Sequence, residues 1–250
     1  MDRIAIVSDI HGNVTALEAV LADIAARGIA TVYNLGDVAG KGPRGALAAE
    51  ISRERCAVTV RGNWEHYLTS PDVYRAEGGQ WWHAELGAEN RDWLAGLPGS
   101  HDVELSGRRI RLFHASATSE FDRVHAQHTD AEFDGMFQAT PFTGDGPAPS
   151  VVGYGDIHAA YVAQRGGRTL LNVGSVGNPL DETTAAYVVV EGVAGGSAAH
   201  PFGVQIVRVP YDVDGELAVA RRSGMPQLAE YAHELRTAVY RGARIDRPAD

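Results

Sequence analysis

The chain has little cysteine, a deficit of basic charge and no long apolar run. A single cysteine, Cys56, in 250 residues allows no internal disulfide. Its place leading into the apolar run Ala57–Val60 suits a small buried thiol, and a reducing, cytoplasmic setting is the expectation. Against 32 Asp and Glu stand only 22 Lys and Arg, a formal charge of −10. That balance opposes a broad electropositive footprint for phosphate backbones, so non-specific nucleic-acid binding is disfavoured. No segment approaches the roughly 18 apolar residues of a membrane span. The chain opens directly on the strand-like run Arg3–Val7, without a basic region followed by an apolar stretch, so neither membrane anchoring nor export is expected. Internal repeats are absent, and 44% hydrophobic with 22% charged residues is the composition of a globule.

What is abundant is glycine, 29 of 250 against a usual share of about 7%. Much of it falls in Gly-Asp, Gly-Asn and Gly-Ser pairs at the ends of apolar runs, where tight loops are needed. The runs Ile4–Val7, Thr31–Leu35, Ala57–Val60, Ile110–Phe113 and Val151–Tyr154 read as strands, followed by Asp9, Asp37, Asn63, His114 and Asp156 respectively. Between the first two, Val14, Leu17, Val20, Leu21 and Ile24 recur at helical spacing, with Thr15 and Glu18 spaced as a capping box and Gly28 as the stop. A helix opened by Pro43 spans about Arg44–Arg53. This β-α-β-α-β start argues a parallel sheet with helices on both faces. Farther along, Trp81, Trp82, Leu86, Trp93 and Leu94 suggest a helix. Val103–Leu105 and Arg109–Phe113 form a hairpin turning at Ser106-Gly107. Ala160–Gln164, Thr169–Val173, Ala185–Val190 and Val204–Val209 are further strands, and Gly224–Tyr240 is a last helix. Thr140–Ser150 and Glu191–Gly203 carry turn formers at a density no strand tolerates. The length fits one α/β domain, 1–250, with a helical extension from about 224.

Polar residues at the C-terminal ends of parallel strands point into the crevice where α/β proteins bind ligands. Two Asp-x-His pairs, Asp9-Ile10-His11 and Asp156-Ile157-His158, bracket that set. In a strand, i and i+2 project to one side, so such a pair can offer a carboxylate and an imidazole to one ion. Mixed oxygen and nitrogen donors suit Mn, Fe, Ni, Co or Zn better than Ca. A carboxylate such as Asp37 has two oxygens and can bridge two ions about 3.5–4 Å apart. Taken singly, each residue has a plainer reading. Asp9 fits the acidic cluster of a receiver domain, Asn63 a turn with Gly62, and His114 a core histidine. The ordered set is what points to metal chemistry.

Asp9-x-His11, Gly36-Asp37, Gly62-Asn63, His114 and Gly155-x-x-His158, in that order, resemble the calcineurin-like metallophosphoesterase superfamily, particularly its small bacterial members. The resemblance spans about Ile4 to Gly177 and implies an α/β fold in four layers, an α/β/β/α sandwich. It implies Asp9, His11, Asp37 and His158 on one divalent ion and Asp37, Asn63, His114 and Asp156 on the other, with Asp37 bridging. Asn172–Pro179 looks like the family's Gly-Ser-Val-Gly stretch beside the site. Two departures stand out. Asp156 replaces a histidine, and Trp64 replaces the histidine that protonates the leaving oxygen or binds the phosphoryl group. Tryptophan offers only a weak N–H donor. The implied activity is therefore a metal-dependent phosphoesterase that favours diesters over monoesters. Its substrate would be a small phosphoester, nucleotides included, with His66 or Glu65 taking over part of the acid role. Outside the motif, His125, His128 and Asp130 read as a solvated loop or lid rather than a further ligand set. Lys41 and Arg44, just past Asp37, lie where phosphate would be met, although helix-surface charge is the ordinary explanation. The tryptophans at helical spacing read as core.

Overall fold

Ten strands and seven helices make up the computed structural model, which describes residues 1–70 and 79–242. The first sheet has the order β10-β9-β1-β2-β3: β1 (Asp2–Val7), β2 (Thr31–Asn34), β3 (Val58–Thr59), β9 (Ala185–Gly192) and β10 (Gly203–Val209). β1, β2 and β3 run parallel, β9 pairs antiparallel with β1, and β10 pairs antiparallel with β9. The second has the order β4-β5-β6-β8-β7: β4 (Ser100–Leu105), β5 (Arg108–Phe113), β6 (Val151–Tyr154), β7 (Tyr161–Arg165) and β8 (Arg168–Asn172). Here β5, β6 and β8 are parallel and the two edge strands antiparallel.

Period-two alternation divides each strand between two cores. In β1, Ile4 and Ile6 join Val188 and Val190 of β9, Ile110 and Leu112 of β5 and Val151 of β6 in a core between the sheets. Ala5 and Val7 face outward, with Tyr187 and Val189, onto α1 (Val14–Ala26), α2 (Gly45–Arg55), α4 (Gly79–Ala95), α6 (Val213–Arg222) and α7 (Leu228–Thr237). On the far side, Phe113, Val152, Tyr154 and Leu170 pack against Phe133, Met136 and Phe137 of α5 (Asp130–Gly135) and the residues after it. The result is the four-layer α/β/β/α sandwich. Each sheet has helices on one face only, because the other face of each is consumed by its partner sheet. The expectation of helices on both faces of a single sheet is corrected accordingly.

Several local expectations also change. α1 is capped by Asn13, whose side chain accepts from Ala16 N at 3.0 Å, while Thr15 Oγ1 donates to Glu216 of α6 at 2.6 Å. A pairing 201 residues away thus overrides the local capping box. A helix precedes the predicted last one: α6 ends at Arg222 with Ser223 as its C-cap, Gly224 turns with φ +70°, and α7 starts only at Leu228. The segment after His128 is α5, capped reciprocally by Thr129 and Glu132. α3 (Asn63–Thr69) begins on a residue assigned to a turn. The hairpin turn holds as read, with Ser106 at φ +52° and Gly107 at +63°, the pair of left-handed residues a two-residue turn requires. Cys56 is only half-buried, at the end of α2. Among the described residues no helix is long and apolar enough to cross a membrane.

Candidate metal centre

All the predicted ligands lie past the C-terminal ends of parallel strands, β1, β2 and β3 in one sheet and β5 and β6 in the other. Backbone hydrogen bonds lace those ends together. Asp9 N donates to Gly36 O (3.0 Å), His11 N to Asp37 O (2.8 Å) and Gly155 N to His114 O (2.8 Å). Between the sheets, Val176 N donates to Ser8 O and Gly177 N to Asp9 O, each at 2.9 Å.

The Asp-x-His pairs do not project by strand alternation, as the sequence reading supposed. β1 stops at Val7 and β6 at Tyr154, and Asp9, His11, Asp37, Asp156 and His158 all adopt left-handed backbone conformations, with φ between +51° and +66°. Each such residue costs of order 1–2 kcal/mol relative to right-handed backbone. Their concentration at one place marks a turn held by its surroundings for what it presents. Two glycines permit the close approach. A Cβ on Gly62 would lie 2.3 Å from Asp37 Oδ1, and one on Gly177 would lie 1.7 Å from Ile10 O.

Asp9, His11, Asp37 and His158, all buried, offer donor atoms that lie within 4.8 Å of one another. His11 Nε2 is 3.2 Å from His158 Nε2 and 3.6 Å from Asp37 Oδ2, and Asp9 Oδ1 is 3.3 Å from His158 Nε2. Donors sharing one ion at bond lengths near 2.1 Å stand about 3–3.5 Å apart. Asp37 turns its other oxygen, Oδ1, toward His114 Nε2 at 3.4 Å, so its two oxygens face the two groups separately. Each histidine is oriented by its remaining nitrogen: Nδ1–H donates to Ala39 O in His11, to Leu35 O in His114 and to Asn178 O in His158. A carbonyl can only accept, so in the neutral form of each ring Nε2 carries the free electron pair, the arrangement by which metal-binding histidines are fixed.

Three buried atoms here have no hydrogen-bond partner: Asp9 Oδ1, Asn63 Oδ1 and His114 Nε2. Orphaned buried polar atoms are rare and costly. An electron-pair donor set of two oxygens and a nitrogen is what a divalent cation would satisfy, so the residues fit such an ion. Protonation reflects the same crowding. Burial, and then the Lys41 ammonium, press the His11 ring well below its usual range. Against burial, the carboxylates of Asp37, Asp9 and Asp156 hold the His114 ring well above it. Also against burial, His158 draws Asp9 down to about 2.

Asp156 is the exception. Its carboxylate lies 3.9 Å from His114 Nε2 but is held by Arg123, whose Nε and Nη2 donate to its two oxygens at 2.8 Å each. Asp156 N, in turn, donates to Asp9 Oδ2 at 3.1 Å.

Asp37, Lys41, Asn63, Trp64, Asp156 and His158 line a cleft of about 440 Å³ whose outer wall includes Tyr67, Arg123, His125 and Tyr240. Trp64 occupies the wall beside His11, ring edge to face at 5.8 Å, and rests on Gly40. Trp82, by contrast, is core. His66 is not in the lining; its ring packs on Phe121 at 5.1 Å. Nor does Glu65 face the cleft. It is fully buried and accepts from Asp37 N, Val38 N and Gly62 N at 2.7–2.8 Å. Burial and the neighbouring Asp37 carboxylate push it up to about 7. It therefore braces the loop that carries Asp37 instead of donating protons to a substrate. Lys41 and Arg44 separate cleanly: Lys41 lines the cleft and donates to Asn178 Oδ1 at 3.0 Å, while Arg44 pairs with Glu216.

Sequence reasoning missed Arg123, the bracing role of Glu65, and Asn178. Glu65 had a signal, three residues after Gly62 at the N3 position of a helix, and Asn178 lay in the Asn172–Pro179 stretch expected beside the site, though without a side-chain role; Arg123 had none. Asn178 joins three elements. Its carbonyl accepts from His158, its side chain accepts from Lys41, and its amide donates to Glu234 of α7 at 3.2 Å.

The profile of the calcineurin-like phosphoesterase superfamily domain matches residues 2–194, which includes every candidate ligand and leaves α6 and α7 outside. The chain is similar to an uncharacterized protein of Methanocaldococcus jannaschii, 28% identical over 225 residues that cover 84% of this chain and 88% of the other. In fold it is similar to a metallophosphoesterase of Sphaerobacter thermophilus, with a TM-score of 0.73, 23% identity, and coverage of 95% of this chain and 100% of that one. A hypothetical protein of Pyrococcus horikoshii gives a TM-score of 0.74 at 18% identity, covering 94% and 98%.

Proposed function

This chain belongs to the calcineurin-like phosphoesterase superfamily, and on that premise we propose that it is a divalent-metal-dependent hydrolase of small phosphoesters, phosphodiesters ahead of monoesters. The observation that carries the reading is the convergence of Asp9, His11, Asp37 and His158, with three buried donor atoms left unpartnered beside them. In this proposal Asp9, His11, Asp37 and His158 hold one ion, and Asp37, Asn63, His114 and Asp156 a second, drawn from Mn, Fe, Ni, Co or Zn. Bound there, such ions supply Lewis acidity and a water acidified toward neutral pH.

The chain's own residues do the rest. The backbone bonds among the strand ends fix the donors before substrate arrives, so little reorganisation is needed during reaction. Glu65 holds the Asp37 loop, and Asn178 aims the His158 ring. Trp64 walls the cleft where the family's histidine stands and gives no strong acid, so leaving groups that need little protonation are favoured. Aryl phosphodiesters and nucleotide phosphoanhydrides are of that kind. Tyr67 and Tyr240, with exposures of 36% and 52%, provide aromatic surface at the mouth for a planar group.

The test is hydrolysis of a bis-aryl phosphodiester by Mn-supplemented protein. Activity that disappears in a folded Asp37→Asn variant is expected. Two observations favour a second reading, a non-catalytic metal-binding module of the same fold: Trp64 and the Arg123-bound Asp156 both depart from the family pattern. Inactivity across a panel of metals and phosphoesters, with metal still bound, would favour that reading.

A further inference from the structure

We propose that Arg123 and the second divalent ion compete for the Asp156 carboxylate, so that the second position fills only as the guanidinium lets go. The inference rests on the metal-binding reading above and adds to it a residue that governs occupancy.

Arg123 takes both oxygens of Asp156, Nε on Oδ2 and Nη2 on Oδ1, at 2.8 Å each. That is the bidentate fork, the strongest form of such a pair. Of the other donors the second ion needs, Asn63 Oδ1 and His114 Nε2 have no partner, while Asp37 Oδ1, 3.4 Å from His114 Nε2, accepts one bond from Trp64 N at 2.9 Å and keeps a second electron pair. What is withheld is the aspartate. The guanidinium also places a positive charge beside the position a cation would occupy.

Release is feasible because the two partners are anchored differently. The Asp156 side chain is 2% exposed and that of Arg123 49%. Asp156 is placed by its left-handed backbone and by its N–H to Asp9 Oδ2, neither of which involves Arg123. Swinging the arginine outward therefore breaks the ion pair without moving the aspartate. At the first position no such guard exists among the described residues, where the ion-pair partners of Asp9 and Asp37 are histidines.

The experiment is calorimetric titration of Mn²⁺ into chelator-stripped full-length protein. Wild type should show one tight event and a second at least about 10-fold weaker. Arg123→Ala should tighten the second by about 10- to 100-fold, the worth of a hydrogen-bonded charge pair, and leave the first within about 2-fold. Arg123→Lys, which keeps charge but loses the fork, should fall between. Since Arg123→Ala strips a buried carboxylate of its partner, thermal unfolding gives an independent reading: the rise in Tm on adding Mn²⁺ should be larger in the variant than in wild type. An unchanged second affinity overturns the proposal. So does loss of the second ion in Arg123→Ala, since Arg123 would then be holding Asp156 in place. Two equally tight ions in wild type overturn it as well. Wild type that binds no Mn²⁺ sinks the metal-binding reading itself, whereas one tight ion with no gain in the variant sinks only the competition.

Discussion

The two halves of the site use the same backbone device and end in different states. On the first-sheet side, Asp9 and His11 are turned inward by left-handed residues and meet His158 across the gap, and among the described residues the ion-pair partners of Asp9 are these two histidines. On the second-sheet side Asp156 is turned inward in the same way, at φ +66°, yet it meets Arg123. Between the halves, Asp37 gives one oxygen to each. Backbone strain thus decides where carboxylates point, and the neighbouring charge decides whether they are available.

If that contrast is right, the largest effect belongs to the shared residue. Asp37→Asn should lower phosphodiester hydrolysis by about 1000-fold or more, because Lewis-acid stabilisation amounts to several kcal/mol; steady-state assays on protein with unchanged circular dichroism would show it. Next is the brace beneath it. Glu65→Ala leaves three buried N–H groups without an acceptor and should cost about 3 kcal/mol or more of stability, read from the urea midpoint. Near-normal stability would mean that the Asp37 loop holds itself. A mirrored pair then separates the halves. Asn178→Ala removes the contacts that Asn178 makes with Lys41 and Glu234 and loosens the segment supporting His158. It should weaken the first ion by about 10- to 100-fold, the usual cost of an outer partner, and spare the second. Asp156→Asn should do the reverse. Equal losses at both positions in either variant would mean that the halves are one unit. The smallest effect is expected from Trp64→His, which should raise the monoester-to-diester activity ratio by roughly 10-fold as an acid is restored. A constant ratio would show that a missing acid is not what limits the reaction.

The layers and the location of the site were legible from sequence because both rest on short-range patterns. Alternating apolar residues in β1 and β6 define two-faced burial, and glycines mark where strands end in tight loops. The mechanism of projection was not legible. Asp9 and His11 carry no sequence mark of left-handed backbone, which is held by bonds to residues 36–38 in the loop after β2. Arg123 lies in a polar segment with no periodicity, and its partner is 33 residues away. Thr15 was assigned to a local cap because its true partner, Glu216, sits on a helix that the sequence reading passed over. In each case a tertiary contact overrode a local preference.

The most direct test of the assembled centre is a count of ions per chain, by elemental analysis after equilibration with excess Mn²⁺ and removal of free metal at a concentration above the weaker constant. Two ions per chain are expected in wild type, one in Asp156→Asn, and fewer than one in Asp37→Asn. Wild type that retains none, or Asp37→Asn that retains as many as wild type, would contradict the account.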